Sequence, residues 1–281
     1  MGHLIRRPGR PLGQIVDRLW HVESTASQAE PDTICPDGRA EIIVHVGAPM
    51  RERRNGSERP QPRHLLVGQM ERPVTVAPTG AVRMVGATLA PAALYQLLPM
   101  PQQRLAGQIV DLESIWGRWT RQTAERIAAT SGPGAALDCF ERSLEALLAS
   151  RDHDPDIATM ALVVTRLERS GGRASVAALA AHCGLGRRQF ERRFREQIGL
   201  SPRLFGRIVR FQRAFRTLGR ESGASVAARC GYADQAHLVR EVRRFAGVTP
   251  TLLAEADGLM VFFRAADSAD LADCAGMIDC G

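Results

Sequence analysis

At 281 residues and a net charge of +7, the chain is long enough for two domains with cores of their own. Nowhere do 18 apolar residues run together, which argues against a membrane span, and the basic N-terminus is followed by no apolar run, which argues against an export signal. The six cysteines do not read as a disulfide framework, since Cys183 and Cys230 hold equivalent places in two like segments, no CxxC metal pair occurs, and a reducing cytosol fits.

In chain order, the first part reads as strands. Glu41 to Gly47, Val74 to Ala77 and Val82 to Leu89 are short β-branched runs bounded by Pro and Gly, spaced as in a small antiparallel barrel or sandwich. Arg51 to Pro62 is charged and proline-containing, has no period, and reads as a solvent-exposed loop. His45 sits in the first of these strands. A cupin metal site needs a second histidine two residues on, where this chain has Gly47, so a structural or ligand-contacting histidine is expected and no metal. Trp20, Trp116 and Trp119 read as packing residues.

After Gly132-Pro133-Gly134 the period becomes helical, with Phe140, Leu144, Leu147 and Leu148, and then Ile157, Met160, Ala161, Val164 and Leu167 in a helix ended by Gly171-Gly172. The domain boundary is placed between these helices, near Asp152. Then one stretch occurs twice. Ala180-Ala-His-Cys-Gly184 leads through an arginine-rich helix to Gly199-Leu-Ser-Pro202, and Ala227-Ala-Arg-Cys-Gly231 leads through another to Gly247-Val-Thr-Pro250. Each copy predicts a short helix, a turn at glycine and a longer helix, the layout that places a second helix in the DNA major groove.

Pro202 starts a connecting helix whose Leu204, Phe205, Ile208, Phe211, Phe215 and Leu218 share one apolar arc able to bury against both units. Charge follows the repeat: residues 155–258 carry 18 arginines against 9 acids, whereas residues 1–154 carry 18 against 17. That excess is what a phosphate backbone requires. Residues 259–281 lose all pattern and read as a disordered tail.

Leu179-Ala180, Gly184, Arg192-x-Phe194-Arg195, Gly199-Leu-Ser-Pro202, Gly231-Tyr232 and Gly247-Val-Thr-Pro250 resemble the DNA-binding domain of the AraC/XylS transcription regulators. Trp20-His-Val-Glu-Ser24, Pro36-Asp-Gly38 and Glu41-Ile-Ile-Val44 are similar to a branch of that family with a cupin-like N-terminal domain. The resemblance implies an α+β chain. Residues 1–150 form a β-rich, cupin-like effector or dimerisation domain, and residues 155–258 an all-α tandem helix-turn-helix domain of seven helices. By position, Arg188, Glu191 and Arg192 face bases in the first unit, with Arg187 and Arg195 near phosphates. In the second unit Gln235, Ala236, Val239 and Arg240 face bases.

Arginine can grip guanine and glutamine adenine through paired hydrogen bonds. Glu191 either accepts from cytosine or holds Arg188 or Arg195 by a helical ion pair. His237 reads as a spacer against the neighbouring helix. Gly223 stands where the first unit has Val176, so the second unit is expected to have lost an apolar anchor and to dock less firmly.

No nucleophile, phosphate loop or paired metal ligands appears, so neither catalysis nor a cofactor is expected. The expected protein is a bacterial, cytoplasmic regulator that binds double-stranded promoter DNA, answers to a small-molecule effector and meets RNA polymerase; a homodimer is left open. A metal-binding cupin enzyme and a ligand-independent architectural DNA binder remain the alternatives.

Overall fold

The computed structural model of the chain describes residues 2–25, 31–54, 56–151 and 155–255. Among the described residues its N-terminal half holds ten strands: β1 (Gly2–Arg6), β2 (Val16–Ser24), β3 (Asp32–Ile34), β4 (Ala40–His45), β5 (Met50–Arg54), β6 (Ser57–Pro60), β7 (His64–Val67), β8 (Val74–Pro78), β9 (Val82–Leu89) and β10 (Ile109–Asp111). They pair antiparallel in two sheets, of order β1-β2-β9-β4-β7-β10 and β3-β8-β5-β6. Side chains alternate across each strand, so every central strand has one residue set for each layer.

On the larger sheet, Leu19, Ile42, Val44, Leu66, Val85 and Ala87 bury under α1 (Ala93–Leu97), α2 (Glu113–Ala128) and α3 (Pro133–Ala149), where Phe140 and Leu144 meet them. The opposite face turns Trp20, Val22 and Met84 towards Met50, Val74 and Val76 of the smaller sheet. Burying each such side chain stabilises by about 1.5–3 kcal/mol. Between β2 and β9 the indole of Trp20 lies across Gly86, where a Cβ would come within 2.1 Å of the ring, so that position admits only glycine.

The runs at 41–47, 74–77 and 82–89 are strands as expected. The segment 51–62 is not a loop. It forms the β5–β6 hairpin, because Met50 and Glu52 turn inward on alternate positions and Glu52, 1% exposed, has partners there: Arg59 Nε donates to it at 2.6 Å and Gln61 Nε2 at 3.3 Å. A charged inward position hid the period. The expected disorder of residues 259–281 and the boundary at Asp152 fall outside the described residues.

The C-terminal half is helical, with α4 (Pro155–Arg169), α5 (Val176–His182), α6 (Arg187–Ile198), α7 (Pro202–Phe215), α8 (Gly223–Cys230), α9 (Gln235–Ala246) and α10 (Pro250–Ala254). Helix α7 buries Phe205, Ile208, Phe211 and Phe215 along one face and so joins both repeats into one core. Phe205 meets Phe194 of the first repeat edge-on at 5.8 Å, and Phe211 meets Phe245 of the second at 5.3 Å. No helix among the described residues is long and apolar enough to cross a membrane.

The two halves share a packed boundary. Ala92 belongs to the helical core, and Cys35, Tyr95 and Ala106 pack against it. Gly38, with φ +80°, lets the 35–39 loop approach α7, since a Cβ there would lie 3.0 Å from Phe205 Cε2.

Candidate DNA interface and ligand cavity

The two repeats share a serine cap on their first helix and glycine at the turn and end, but at the second helix only α9 has a side-chain cap; α6 starts at Gly186 without one. Ser175 accepts from the Ala178 N–H to start α5, Gly184 (φ +65°) makes the turn, and α6 ends at Gly199 in the left-handed region. In the second copy Ser222 caps α8, Gly231 (φ +75°) turns, Asp234 accepts from the His237 N–H at 2.6 Å to start α9, and Gly247 ends it. A side-chain cap such as that of Asp234 satisfies one of the free N–H groups in the first turn of the helix.

Helix α6 buries Phe190, Phe194, Gln197 and Ile198 and leaves Arg187, Arg188, Arg192 and Arg195 exposed. Glu191 is half-buried and pairs with Arg187 at 3.0 Å, not with Arg188 or Arg195. Arg187 and Arg195 both lie four residues from Glu191, one turn to either side, and the pair forms with Arg187. Arg188 and Arg192 thus stand one turn apart on the open face. On α9, Gln235, Ala236 and Arg240 are exposed and Val239 is half-buried. His237 packs edge-on against Tyr232 at 5.3 Å, and its Nδ1 accepts from the Ala233 N–H at 3.4 Å, the geometry of a spacer.

The second unit is not loosely docked. Arg207 of α7 donates through Nε at 2.9 Å and Nη2 at 2.6 Å to the two oxygens of Glu241, and its guanidinium lies 5.5 Å from the Phe245 ring. Burial pushes the Glu241 carboxyl up, but Arg207 outweighs it and holds the group below the usual carboxylate range. Arg210 covers the Tyr232 ring at 5.7 Å and donates to the carbonyls of Gly231 and Gly172, both at 3.4 Å. Nor does Gly223 leave a hole. The Gln235 side chain lies over it, and a Cβ there would come within 2.8 Å of Gln235 Nε2.

Between the two sheets of the β domain lies a cavity of about 100 Å³. Its wall is mostly apolar, from Trp20, Ile34, Ile43, Met50, Met70 and Met84. One row across β2, β9 and β4 is polar. Register sets Arg18 opposite Thr88 and Thr88 opposite Glu41; Arg18 donates to Thr88 at 3.2 Å, and Thr88 donates to Glu41 at 2.8 Å. Burial, with Asp37 nearby, raises the Glu41 carboxyl to about 7, against the pull of Arg18.

The 35–39 loop closes this end and carries the boundary with the helices. Arg18 reaches Asp37 at 3.5 Å, while Arg39 reaches Asp17 at 2.6 Å and Glu168 of α4 at 2.8 Å. Burial works against the charge of Arg39, and Asp17 and Glu168 more than offset it, so its protonated form is favoured. Gln212 of α7 donates to the Pro36 carbonyl at 2.6 Å, and Gln212 and Phe215 complete the cavity wall. Trp20 therefore does more than pack, because its ring also faces this space.

His45 lines the cavity too, 2% exposed, with its Nδ1 unpartnered, and burial beside His64 and Arg63 lowers it to about 4. Among the described residues no group of three or more His, Cys, Asp or Glu could hold a metal. Arg39, Glu168 and Gln212 were not picked out from sequence. They are isolated polar residues on otherwise ordinary elements, and only the packing of one domain on the other brings them together.

A family of helix-turn-helix domains matches residues 179–256, and a domain of unknown function, DUF6597, matches residues 5–111. No curated protein matches the chain. Among solved structures, ToxT from Vibrio cholerae O395 aligns over 84% of this chain and 96% of its own at 10% identity, with a TM-score of 0.46. A second crystal form of Vibrio cholerae ToxT aligns over 84% and 97% at 10% identity, TM-score 0.48. Unsaturated fatty acid bound ToxT from Vibrio cholerae strain SCE256 aligns over 90% and 94% at 11% identity, TM-score 0.43. Residues 179–256 thus hold a domain of the helix-turn-helix family, built here as two helix-turn-helix units on one bridging helix.

Proposed function

We propose that the chain is a DNA-binding transcription regulator of the AraC family, that it answers to a small organic molecule held between the sheets of its β domain, and that the 35–39 loop passes occupancy to the DNA-binding helices. One observation carries the reading: the cavity shares its wall with α7, through Gln212 and Phe215, and α7 is the helix on which both repeats are mounted. A molecule that displaces either side chain shifts the platform of both recognition helices. An apolar cavity with a few convergent polar groups is the usual form of such a site.

On DNA, α6 and α9 enter successive major-groove segments about 34 Å apart. Arg188 and Arg192 are the base readers of the first unit. Arg187, tied to Glu191, and Arg195 serve phosphates. The Arg187 pair supports a positioning role for Glu191 over a contact to cytosine. Gln235, Ala236, Val239 and Arg240 read the second segment, where Ala236 and Val239 offer only apolar contact to a thymine methyl. The chain acts as a regulator and not as an enzyme, in the bacterial cytoplasm where its promoter lies. RNA polymerase and a second copy of the chain are the further partners that the family resemblance implies. The units taken as domains are residues 1–150 and 155–258.

Selection of binding sites from random DNA by the full chain tests this reading. The expected result is a bipartite site, with one sharply defined segment under α6 and a second about one helical turn away. Recovery of no preferred sequence would make the chain an architectural binder. A stoichiometric transition metal that survives dialysis and depends on His45 would favour a metal-binding cupin instead.

A further inference from the structure

Resting on the proposal that the cavity holds an effector, we infer that its ligand is a small uncharged molecule, an apolar body with one hydroxyl that meets the imidazole of His45. The polar groups of the wall decide the charge. Its two arginines, Arg18 and Arg39, balance its two carboxylates, Asp37 and Glu41. Each of the four is already engaged by the protein. Arg18 reaches Asp37 at 3.5 Å and donates to Thr88, while Asp37 also accepts from the backbone N–H of Arg39 at 2.9 Å. Arg39 is clasped by Asp17 and Glu168. Glu41 accepts from the Thr88 hydroxyl at 2.8 Å, and Arg18 and Trp20 act on it as well. The two amides of the wall are occupied too, Gln61 by Glu52 and Gln212 by the Pro36 carbonyl.

An anion or a cation entering this space would leave water without meeting a free counter-charge, which strongly disfavours it. To gain a partner it would have to break an existing pair and strand the other member. A neutral guest disturbs none of them.

His45 is the lining group that the protein leaves open. It stands four residues beyond Glu41 on β4, roughly 13 Å along the strand, and faces Met84 across the β4–β9 register. It is 2% exposed, and its Nδ1 is buried without a hydrogen-bond partner among the described residues. Burial beside His64 and Arg63 keeps the ring uncharged. A neutral imidazole offers one N–H and one bare nitrogen, and a hydroxyl, which both donates and accepts, matches either. It satisfies the ring without bringing a charge into the cavity. Most of the remaining wall is apolar, with Met50, Met70 and Met84 able to change rotamer around guests of different shape. The free space, about 100 Å³, is below the roughly 150 Å³ that takes a benzene ring in an engineered apolar cavity, so the guest is small or displaces these methionines.

The test titrates the full chain near neutral pH with toluene, benzyl alcohol, benzoate and benzylamine, which share one ring and differ in charge and in the hydroxyl. Binding is followed by calorimetry and by the fluorescence of Trp20 in a chain carrying Trp116→Phe and Trp119→Phe. Toluene and benzyl alcohol are each expected to bind at least about tenfold more tightly than either ion, a difference of about 1.4 kcal/mol. His45→Phe should weaken benzyl alcohol about fivefold relative to toluene, as the loss of one hydrogen bond does. On the unaltered chain, benzyl alcohol and not toluene should shift one histidine ring-nitrogen resonance, a readout that stands even if the variant folds poorly. Binding of either ion as tightly as toluene would overturn the uncharged class and leave the effector cavity in place. An unmoved histidine resonance, or the same ratio of benzyl alcohol to toluene in His45→Phe, would overturn the hydroxyl and again leave the cavity. Failure of all four probes to bind would overturn both readings.

Discussion

The first helix-turn-helix unit is wedged under the β domain, while the second is fastened to the bridging helix. At the end of α6, Gly199 approaches the backbone of Gln102 so closely that a Cβ would lie 3.1 Å from its carbonyl oxygen, and Ala92 of the β half belongs to the core behind that helix. The second unit meets the β domain beside Pro73, at Gly247, and takes its position from Arg207 and Arg210 of α7. The arginine-rich first unit is thus the one that the β domain touches most directly. The second unit is held chiefly by the bridging helix.

Removing the fastening of the second unit should have the largest effect. Glu241 is 7% exposed, so Arg207→Ala leaves a carboxylate buried without its partner. Such losses run to about 3–5 kcal/mol, and since the Arg207 side chain is 35% exposed, about 2–3 kcal/mol is expected in urea unfolding. The pH dependence gives a second check. The Glu241 carboxyl titrates lower in the folded chain than in the unfolded one, so the contribution of the pair is complete above the unfolded value and is lost as pH falls through the folded one. Arg207→Ala should flatten that acid limb. An unchanged midpoint and an unchanged acid limb would mean that α9 is held by its apolar face alone.

Next comes readout. Arg192→Ala and Arg240→Ala should each cost roughly 1–3 kcal/mol of discrimination at one base position, with the two positions about a helical turn apart. Arg188→Ala should add a second affected position under the first unit, whereas Ala236 and Val239 offer no such hydrogen bond. Equal weakening on every sequence would instead identify these arginines as phosphate contacts.

These expectations also mark what could be read from the chain before its fold was known. The repeat, its caps and the arc of α7 were legible because they are local: Ser, Gly and Pro at fixed offsets, and phenylalanines at helical spacing. The β5–β6 hairpin was not, because the inward Glu52 broke the alternation that marks a strand, and its partners Arg59 and Gln61 are apparent only once the hairpin forms. The cavity between the sheets was half legible. Strands predicted a barrel, but the polar row of Arg18, Thr88 and Glu41 depends on register across three strands distant in sequence.

The boundary between the domains offers a smaller effect that separates coupling from stability. Arg39→Gln removes the clasp between Asp17 and Glu168, yet each of those carboxylates keeps about a third of its surface in water. A cost of about 1 kcal/mol is expected. The response of DNA binding to saturating ligand should fall far more than the affinity without ligand, because the substitution does not touch α6. Arg39 also lines the cavity, so ligand affinity is measured alongside and the ligand kept in excess. An unchanged ligand response would remove the 35–39 loop from the route between the domains.

Gly223→Ala should have the smallest effect on stability and the most selective one on reading. Gly223 is the first residue of α8, capped by Ser222, with a backbone that any residue can adopt there, so added stiffness in the unfolded chain favours folding by roughly 0.4–1 kcal/mol. Against this, the new Cβ would overlap Gln235 Nε2, which is the free end of a flexible and exposed side chain. The amide moves and the helix does not. Unfolding should therefore shift little or slightly upward, while site selection loses its preference at the one base that Gln235 reads and keeps those under Arg192 and Arg240. A variant destabilised by more than about 1 kcal/mol would show that α8 needs the glycine itself. Unchanged selection would show that Gln235 rests on Gly223 as packing and leaves the second half of the site to Arg240.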